Sequence, residues 1–132
     1  MDIETLISAA NQARANAHAP YSGFAVGAAL VDEQGGIHIG CNVENAAYPQ
    51  GQCAEATAIG SMVAAGGHQI SIIVITGPEG GAACTPCGGC RQRIREFAAP
   101  DTPIIICSGG KIIAEHTLAD LLPHSFGPEN LG

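Results

Sequence analysis

Ile70-Ser71-Ile72-Ile73-Val74-Ile75-Thr76 is the stretch on which the fold turns. It is a continuous apolar run, rich in β-branched residues and bounded by Gly66-Gly67 and Gly77. A run without alternation reads as a strand covered on both faces, the habit of parallel and mixed sheets. Upstream, residues 53–65 are strong helix formers, and Gly66-Gly67 stops them. Further back, 24–31 and 37–41 read as two strands of a hairpin around the Gly- and acid-rich turn 32–36. Between the hairpin and the helix, 42–52 is a loop containing Pro49 and Gly51. At the front, 3–18 reads as a helix with Ile3, Leu6, Ile7, Ala10 and Ala13 on one face. Downstream come a loop over 77–86, a helix over 87–97 and a buried strand over 103–107. A turn at Gly109-Gly110, a strand over 111–115 and a short helix over 117–122 complete the chain. The order α-β-β-α-β-α-β-β-α predicts an α/β fold: three layers, α-β-α, around a mixed five-stranded sheet.

The totals fit one domain over residues 1–132. The chain is 46% hydrophobic and 13% charged, which suits a folded core rather than disorder. A formal net charge of −7 opposes a phosphate backbone, so nucleic acid is not the expected partner. The opening Met1-Asp2-Ile3-Glu4 has no basic signal-peptide region, and no apolar run is long enough to span a bilayer. The expectation is a cytoplasmic protein that does not engage membranes.

Six cysteines in so short a chain can mean a disulfide framework. Here the spacing is uneven, with Cys84, Cys87 and Cys90 crowded together, a pattern closer to metal or redox chemistry in a reducing compartment. Two local patterns carry the chemistry: Cys53-Ala54-Glu55 and Pro86-Cys87-Gly88-Gly89-Cys90. Each puts a thiol at the start of a predicted helix, where free N–H groups and the dipole stabilise a thiolate. Three such ligands suit zinc and leave a fourth position open, the mark of a catalytic site. Glu55 lies two residues beyond Cys53, close to the metal without having to bind it. Zinc lowers the pKa of the water it holds towards about 7, so a nearby carboxylate can take a proton and deliver it to a substrate. A thiol, a non-ligand Glu and a later Pro-Cys-x-x-Cys together match the signature of zinc deaminases.

Blander readings stand beside this one. Cys87 and Cys90 could be a redox pair, although here they follow the third predicted strand rather than the first. They could belong to a structural zinc site with Cys84 as fourth ligand, which would leave Glu55 without a role. Cys41 and Cys107 read as core thiols. The histidines at 18, 38, 68, 116 and 124 lack ligand spacing and read as surface or structural residues.

Nearly end to end, the sequence resembles the small homotetrameric cytidine deaminases. The resemblance runs through Ala19-Pro20-Tyr21-Ser22, Phe24-Ala25-Val26-Gly27-Ala28-Ala29-Leu30 and Gly40-Cys41-Asn42-Val43-Glu44-Asn45-Ala46. It continues through Cys53-Ala54-Glu55, Pro86-Cys87-Gly88-Gly89-Cys90-Arg91-Gln92 and Leu121-Leu122-Pro123-His124-Ser125-Phe126-Gly127-Pro128. It implies hydrolytic removal of the 4-amino group of cytidine or deoxycytidine, in pyrimidine salvage, with Zn2+ as cofactor. It also implies that Asn42 and Glu44 hold the ribose hydroxyls, as an amide and a carboxylate can. Phe24 would pack on the pyrimidine and Ala54 would offer backbone groups to the base. Tyr48 and Phe126 would reach a neighbouring subunit's active site in a homotetramer. From the residues alone, Asn42 and Glu44 could instead fix a turn, Phe24 could be strand core, and Phe126 a buried C-terminal anchor.

One departure from the family pattern stands out. Many members have Arg directly after the glutamate, whereas this chain has Ala56. Three thiolates outweigh one Zn2+, and a nearby guanidinium would offset the excess. Without it the helix N-termini must suffice, or another cation must help. Arg91 follows a ligand directly, but its direction is open. Some relatives that act on blasticidin S also lack that Arg, so another aminopyrimidine is the second substrate class. Cys at position 53, where polynucleotide deaminases typically have His, speaks against nucleic-acid editing.

Overall fold

The structure is a computed structural model that describes residues 2–132; Met1, part of the acidic opening, lies outside them. Helix α1 (Ile3–Ala15) starts at Asp2, whose carboxylate accepts from the Glu4 N–H at 3.3 Å. The hairpin β1 (Gly27–Asp32) and β2 (Ile37–Cys41) follows. Helix α2 (Ala54–Ala64) leads into β3 (Ile70–Gly77), and α3 (Gly88–Phe97) leads into β4 (Pro103–Ser108). Strand β5 (Lys111–Thr117), the short α4 (Leu118–Leu121) and a 3-10 turn, Pro128–Leu131, end the chain.

The sheet order is β2-β1-β3-β4-β5. The neighbours β2/β1, β1/β3 and β4/β5 are antiparallel, and β3/β4 is parallel. That pair is parallel because α3 lies in the crossover between its strands. The run at 70–76 therefore sits at the centre of a mixed five-stranded sheet. Its alternate side chains serve two cores. Ile73 and Ile75 join Leu30, Ile104 and Ile106 against Ala54, Ala58, Met62, Ile94 and Leu118 of α2, α3 and α4. On the opposite face Val74 joins Ala29, Val31, Ile105 and Cys107 against Leu6, Ile7 and Ala10 of α1. Burying each large aliphatic side chain contributes about 1.5–3 kcal/mol. Among the described residues no helix is long and apolar enough to cross a membrane.

Most element boundaries lie within two residues of the sequence reading, and three of the differences have a clear physical cause. The helix expected over 3–18 ends at Ala15, and His18 pairs instead with the 42–44 segment. Its N–H donates to Asn42 O at 3.0 Å, and its carbonyl accepts from Glu44 N at 2.7 Å. The strand expected from residue 24 begins at Gly27, because Asn42 takes the backbone of its approach. Asn42 Oδ1 accepts from Val26 N at 2.9 Å and its Nδ2 donates to Phe24 O at 2.8 Å. Thr117, expected inside the last helix, is its N-cap and the end of β5. Cys107 is buried in the core as expected, whereas Cys41 is only half-buried, because β2 is an edge strand.

Gly40 fixes how β2 meets α2. A Cβ there would fall 2.4 Å from Ala58 N and 2.5 Å from Ala54 O. No side chain fits that gap, so the strand lies directly on the first turns of α2. The sheet thereby sets the position of the helix end that carries Cys53 and Glu55.

Candidate active site

Cys53 and Cys87 are the N-cap residues of α2 and α3, each in extended conformation. Cys90 lies in the first turn of α3, where helical geometry returns its side chain towards Cys87. The two helix ends meet so that the sulfurs of Cys53, Cys87 and Cys90 all lie within 4.8 Å of one another. Among the described residues this is the group of His, Cys, Asp and Glu side chains placed to hold a metal ion. Three thiols in this arrangement are a donor set for zinc, with one position left for water. Cys84 borders the same cavity but is not part of the cluster. Its side chain packs against Gly77 at the end of β3, where an added Cβ would lie 2.8 Å from Cys84 Cβ. A four-thiol structural site therefore finds no support. No histidine joins the cluster either, and His38 pairs with Asp32 at 2.7 Å.

Glu55, in the first turn of α2, is only 5% exposed. Burial pushes its carboxyl above the usual carboxylate range, against the opposing pull of its own N–H, the Cys90 thiol and the Arg93 charge. The thiols are tuned unequally. Cys87 is lowered, chiefly by the Cys90 backbone N–H, as expected at a helix N-terminus. Burial of the sulfur pushes Cys53 up although the residue borders solvent, and it pushes the fully buried Cys90 up as well.

A cavity of about 420 Å³ opens over these groups. Phe24, Val26 and Asn42 form one wall; Cys53, Ala54, Glu55, Ala83, Cys84, Thr85 and Cys87 form the rest. Phe24 is 47% exposed, so it is a cavity wall and not strand core. Asn42 keeps one Nδ2 hydrogen beyond its bonds to the approach of β1.

Glu44 and Tyr48 line a neighbouring hollow of about 330 Å³ with Tyr21, Ser22, Asn45 and Gly51. Glu44 accepts from Tyr21 N at 2.9 Å, from Ser22 N at 3.1 Å and from the Ser22 hydroxyl. The Ser22 hydroxyl and backbone together hold its carboxyl below the usual range, so it is an anion at neutral pH. Tyr48 and Phe126 are 74% and 57% exposed and lie outside the metal cavity of their own chain. The Phe126 carbonyl accepts from Gln92 Nε2 at 2.9 Å, which straps the tail along α3.

Arg91 now has a direction. Its Nε donates to Pro86 O at 2.7 Å and its Nη1 to Leu121 O at 2.8 Å, so it ties the cysteine loop to α4. Sequence reasoning missed Ser22, the partner of Glu44, although it lay within a quoted motif. It also missed Thr85 and Ala83 in the cavity wall, for which a loop without periodicity offers no signal.

An open three-thiol centre beside a buried carboxyl, on an α-β-α fold, defines a zinc-dependent hydrolytic enzyme. The chain belongs to the family described as the cytidine and deoxycytidylate deaminase zinc-binding region, whose sequence profile matches residues 1–106. It is 42% identical over 131 residues to a cytidine deaminase of Sporosarcina psychrophila, covering 99% of this chain and 96% of that one. It is 35% identical over 136 residues to a cytidine deaminase of Mycobacterium tuberculosis, covering 99% and 94%. Among solved structures, the cytidine deaminase of Burkholderia pseudomallei superposes with a TM-score of 0.88 at 41% identity, covering 96% of this chain and 100% of that chain. That of Mycobacterium leprae gives 0.81 at 37% identity, covering 94% and 99%.

Proposed function

We propose that this enzyme removes the 4-amino group of cytidine and deoxycytidine by hydrolysis, giving uridine or deoxyuridine and ammonia, in cytoplasmic pyrimidine salvage. The observation that carries the reading is the meeting of Cys53, Cys87, Cys90 and Glu55 at the facing ends of α2 and α3. The thiolates of Cys53, Cys87 and Cys90 would hold the metal. Zinc, when bound there, supplies an acidified water as nucleophile. Glu55 would carry one proton from the attacking water to N3 of the pyrimidine as a C4–O bond forms. It would then carry the second proton to the 4-amino group, so that the C4–N bond breaks and ammonia leaves. Burial suits Glu55 to this work, because a carboxyl raised towards neutrality both accepts and returns protons.

Phe24 offers the pyrimidine an aromatic face, and Ala54 offers backbone groups to its edge. The spare N–H of Asn42 and the carboxylate of Glu44 are the donor and acceptor for the ribose hydroxyls. Glu44 lines a hollow of its own rather than the metal cavity, and in this reading the sugar extends from one to the other. Tyr48 and Phe126 act in a neighbouring subunit of a homotetramer. Their exposure leaves both rings on the surface, where a second copy of the chain can meet them. Residues 1–132 form one catalytic domain in this account, with no role for nucleic acid or a membrane.

The test is loss of the cytidine ultraviolet band with purified, zinc-loaded protein; no loss at any enzyme concentration rejects the reading. A second reading, another aminopyrimidine such as blasticidin S, is favoured by Ala56 and by the prior engagement of Glu44 with Tyr21 and Ser22. A substrate panel with Glu44→Ala separates the two. A nucleoside enzyme loses activity in that variant, and a sugar-indifferent one keeps it.

A further inference from the structure

The charge at the site does not balance on the residues assigned so far. Three thiolates exceed one divalent cation by a single negative charge, and an ionised Glu55 adds a second. The chain has only five Lys and Arg residues with which to offset them. Four are placed elsewhere. Arg14 Nε donates to Ala25 O at 2.8 Å. Arg91 is committed to the carbonyls of Pro86 and Leu121. Arg95 holds Ser125 and Glu129 of the tail, and Lys111 begins β5. Ala56, next to Glu55, brings no charge.

Arg93 remains. Among the described residues no hydrogen bond or ion pair engages its guanidinium. The side chain turns back along α3, so that its Nη1 lies over Gly89, 3.1 Å from where a Cβ on that residue would stand. Gly89 directly precedes Cys90, and Gly88 and Gly89 together separate it from Cys87. A cation at this place faces the positive end of the α3 dipole, which repels it. A long helical side chain normally turns back over residue i−4, and here that direction carries the guanidinium to the end of α3 that holds Cys87 and Cys90.

We propose that Arg93, reaching over Gly89 from the second turn of α3, is the positioning cation of the zinc site. It offsets the thiolates and Glu55 so that the metal stays electrophilic. The assignment rests on the deaminase reading above. It also gives Gly89 a role, because a side chain there would press on the guanidinium.

The experiment uses the zinc-loaded full-length protein with Arg93→Gln, Arg93→Lys and the double variant Ala56→Arg/Arg93→Gln. Four quantities are read: zinc per chain, native mass, kcat and KM separately on cytidine, and the thiolate-to-metal band of the cobalt-substituted proteins. Arg93→Gln is expected to keep zinc and native mass, lose about tenfold to a hundredfold in kcat, change KM little and shift the cobalt band. Arg93→Lys and the double variant are expected to recover most of the loss, since each restores a cation. Wild-type kcat and an unshifted band in Arg93→Gln would overturn the proposal. So would a changed native mass in which Arg93→Lys fails as badly as Arg93→Gln, since that pattern marks an interface contact. If the wild-type protein itself neither binds zinc nor consumes cytidine, the deaminase reading fails, a result distinct from an indifferent Arg93.

Discussion

Glu55 is where a single side chain carries the most. It is buried beside three thiols, and nothing about its packing calls for a charge there. Glu55→Gln should therefore keep zinc and stability while kcat on cytidine falls by about 10²–10⁴, the usual worth of a positioned proton carrier. The contrast is Cys87→Ala. It removes one of three donors, and metal analysis should show zinc lost in parallel with activity. Both residues were legible in the sequence, because Cys-x-Glu and Pro-Cys-x-x-Cys are local spacings that a helix start converts directly into geometry. Arg93 was not. An arginine on an exposed helix face reads as solvated, and only the seat of its guanidinium over Gly89, beside two of the cysteines, says otherwise. Asn42 lies between these cases. The family resemblance implied a sugar contact and the residue alone left a turn-fixing role open; the structure gives it the work of ending the loop before β1.

The elements explain how residues 37 positions apart in sequence, Cys53 and Cys90, come together. Strand β2 lies against the first turns of α2 without any intervening side chain at Gly40, and β3 passes through α3 to the parallel β4. Gly40→Ala should cost about 1–3 kcal/mol by overpacking. It should also weaken zinc retention, because strand and helix must separate; a thermal melt and metal analysis of the same sample check both. The central run at 70–76 was readable because a strand covered on both faces has no polar alternation to hide. The ends of α1 and β1 were not readable, since they are set by backbone bonds from His18 and Asn42 to distant segments. The hairpin turn makes a prediction of its own. Asp32 bonds His38 at 2.7 Å and accepts from Gly36 and Gln34 N–H at 2.9 and 2.8 Å, which holds its carboxyl below the ordinary 3.8. A depressed carboxylate stabilises the fold above its unfolded value and stops doing so as pH falls through its folded one. Stability measured by denaturant should drop below about pH 4, and Asp32→Asn should flatten that part of the profile.

At the scale of the whole molecule the sheet is a platform with one functional end. The core on the α1 face is purely structural, and the opposite face carries the helices whose N-termini build the metal centre. Chelation of zinc should lower the melting temperature in a chelator-dependent way, because a ligand that binds only the folded state adds stability by mass action. Exposed Tyr48 and Phe126 tie activity to assembly in this account. Phe126→Ala should lower activity without altering zinc per chain, and mixing it with an inactive Glu55→Gln partner should restore part of the rate. The central claim is that Cys53, Cys87 and Cys90 hold a catalytic zinc served by Glu55. It is tested most directly by measuring zinc content and cytidine turnover on the same samples of wild type and Glu55→Gln. One zinc per chain is expected in both proteins, and turnover only in the wild type. Full turnover in Glu55→Gln, or turnover by wild type stripped of zinc, would contradict it.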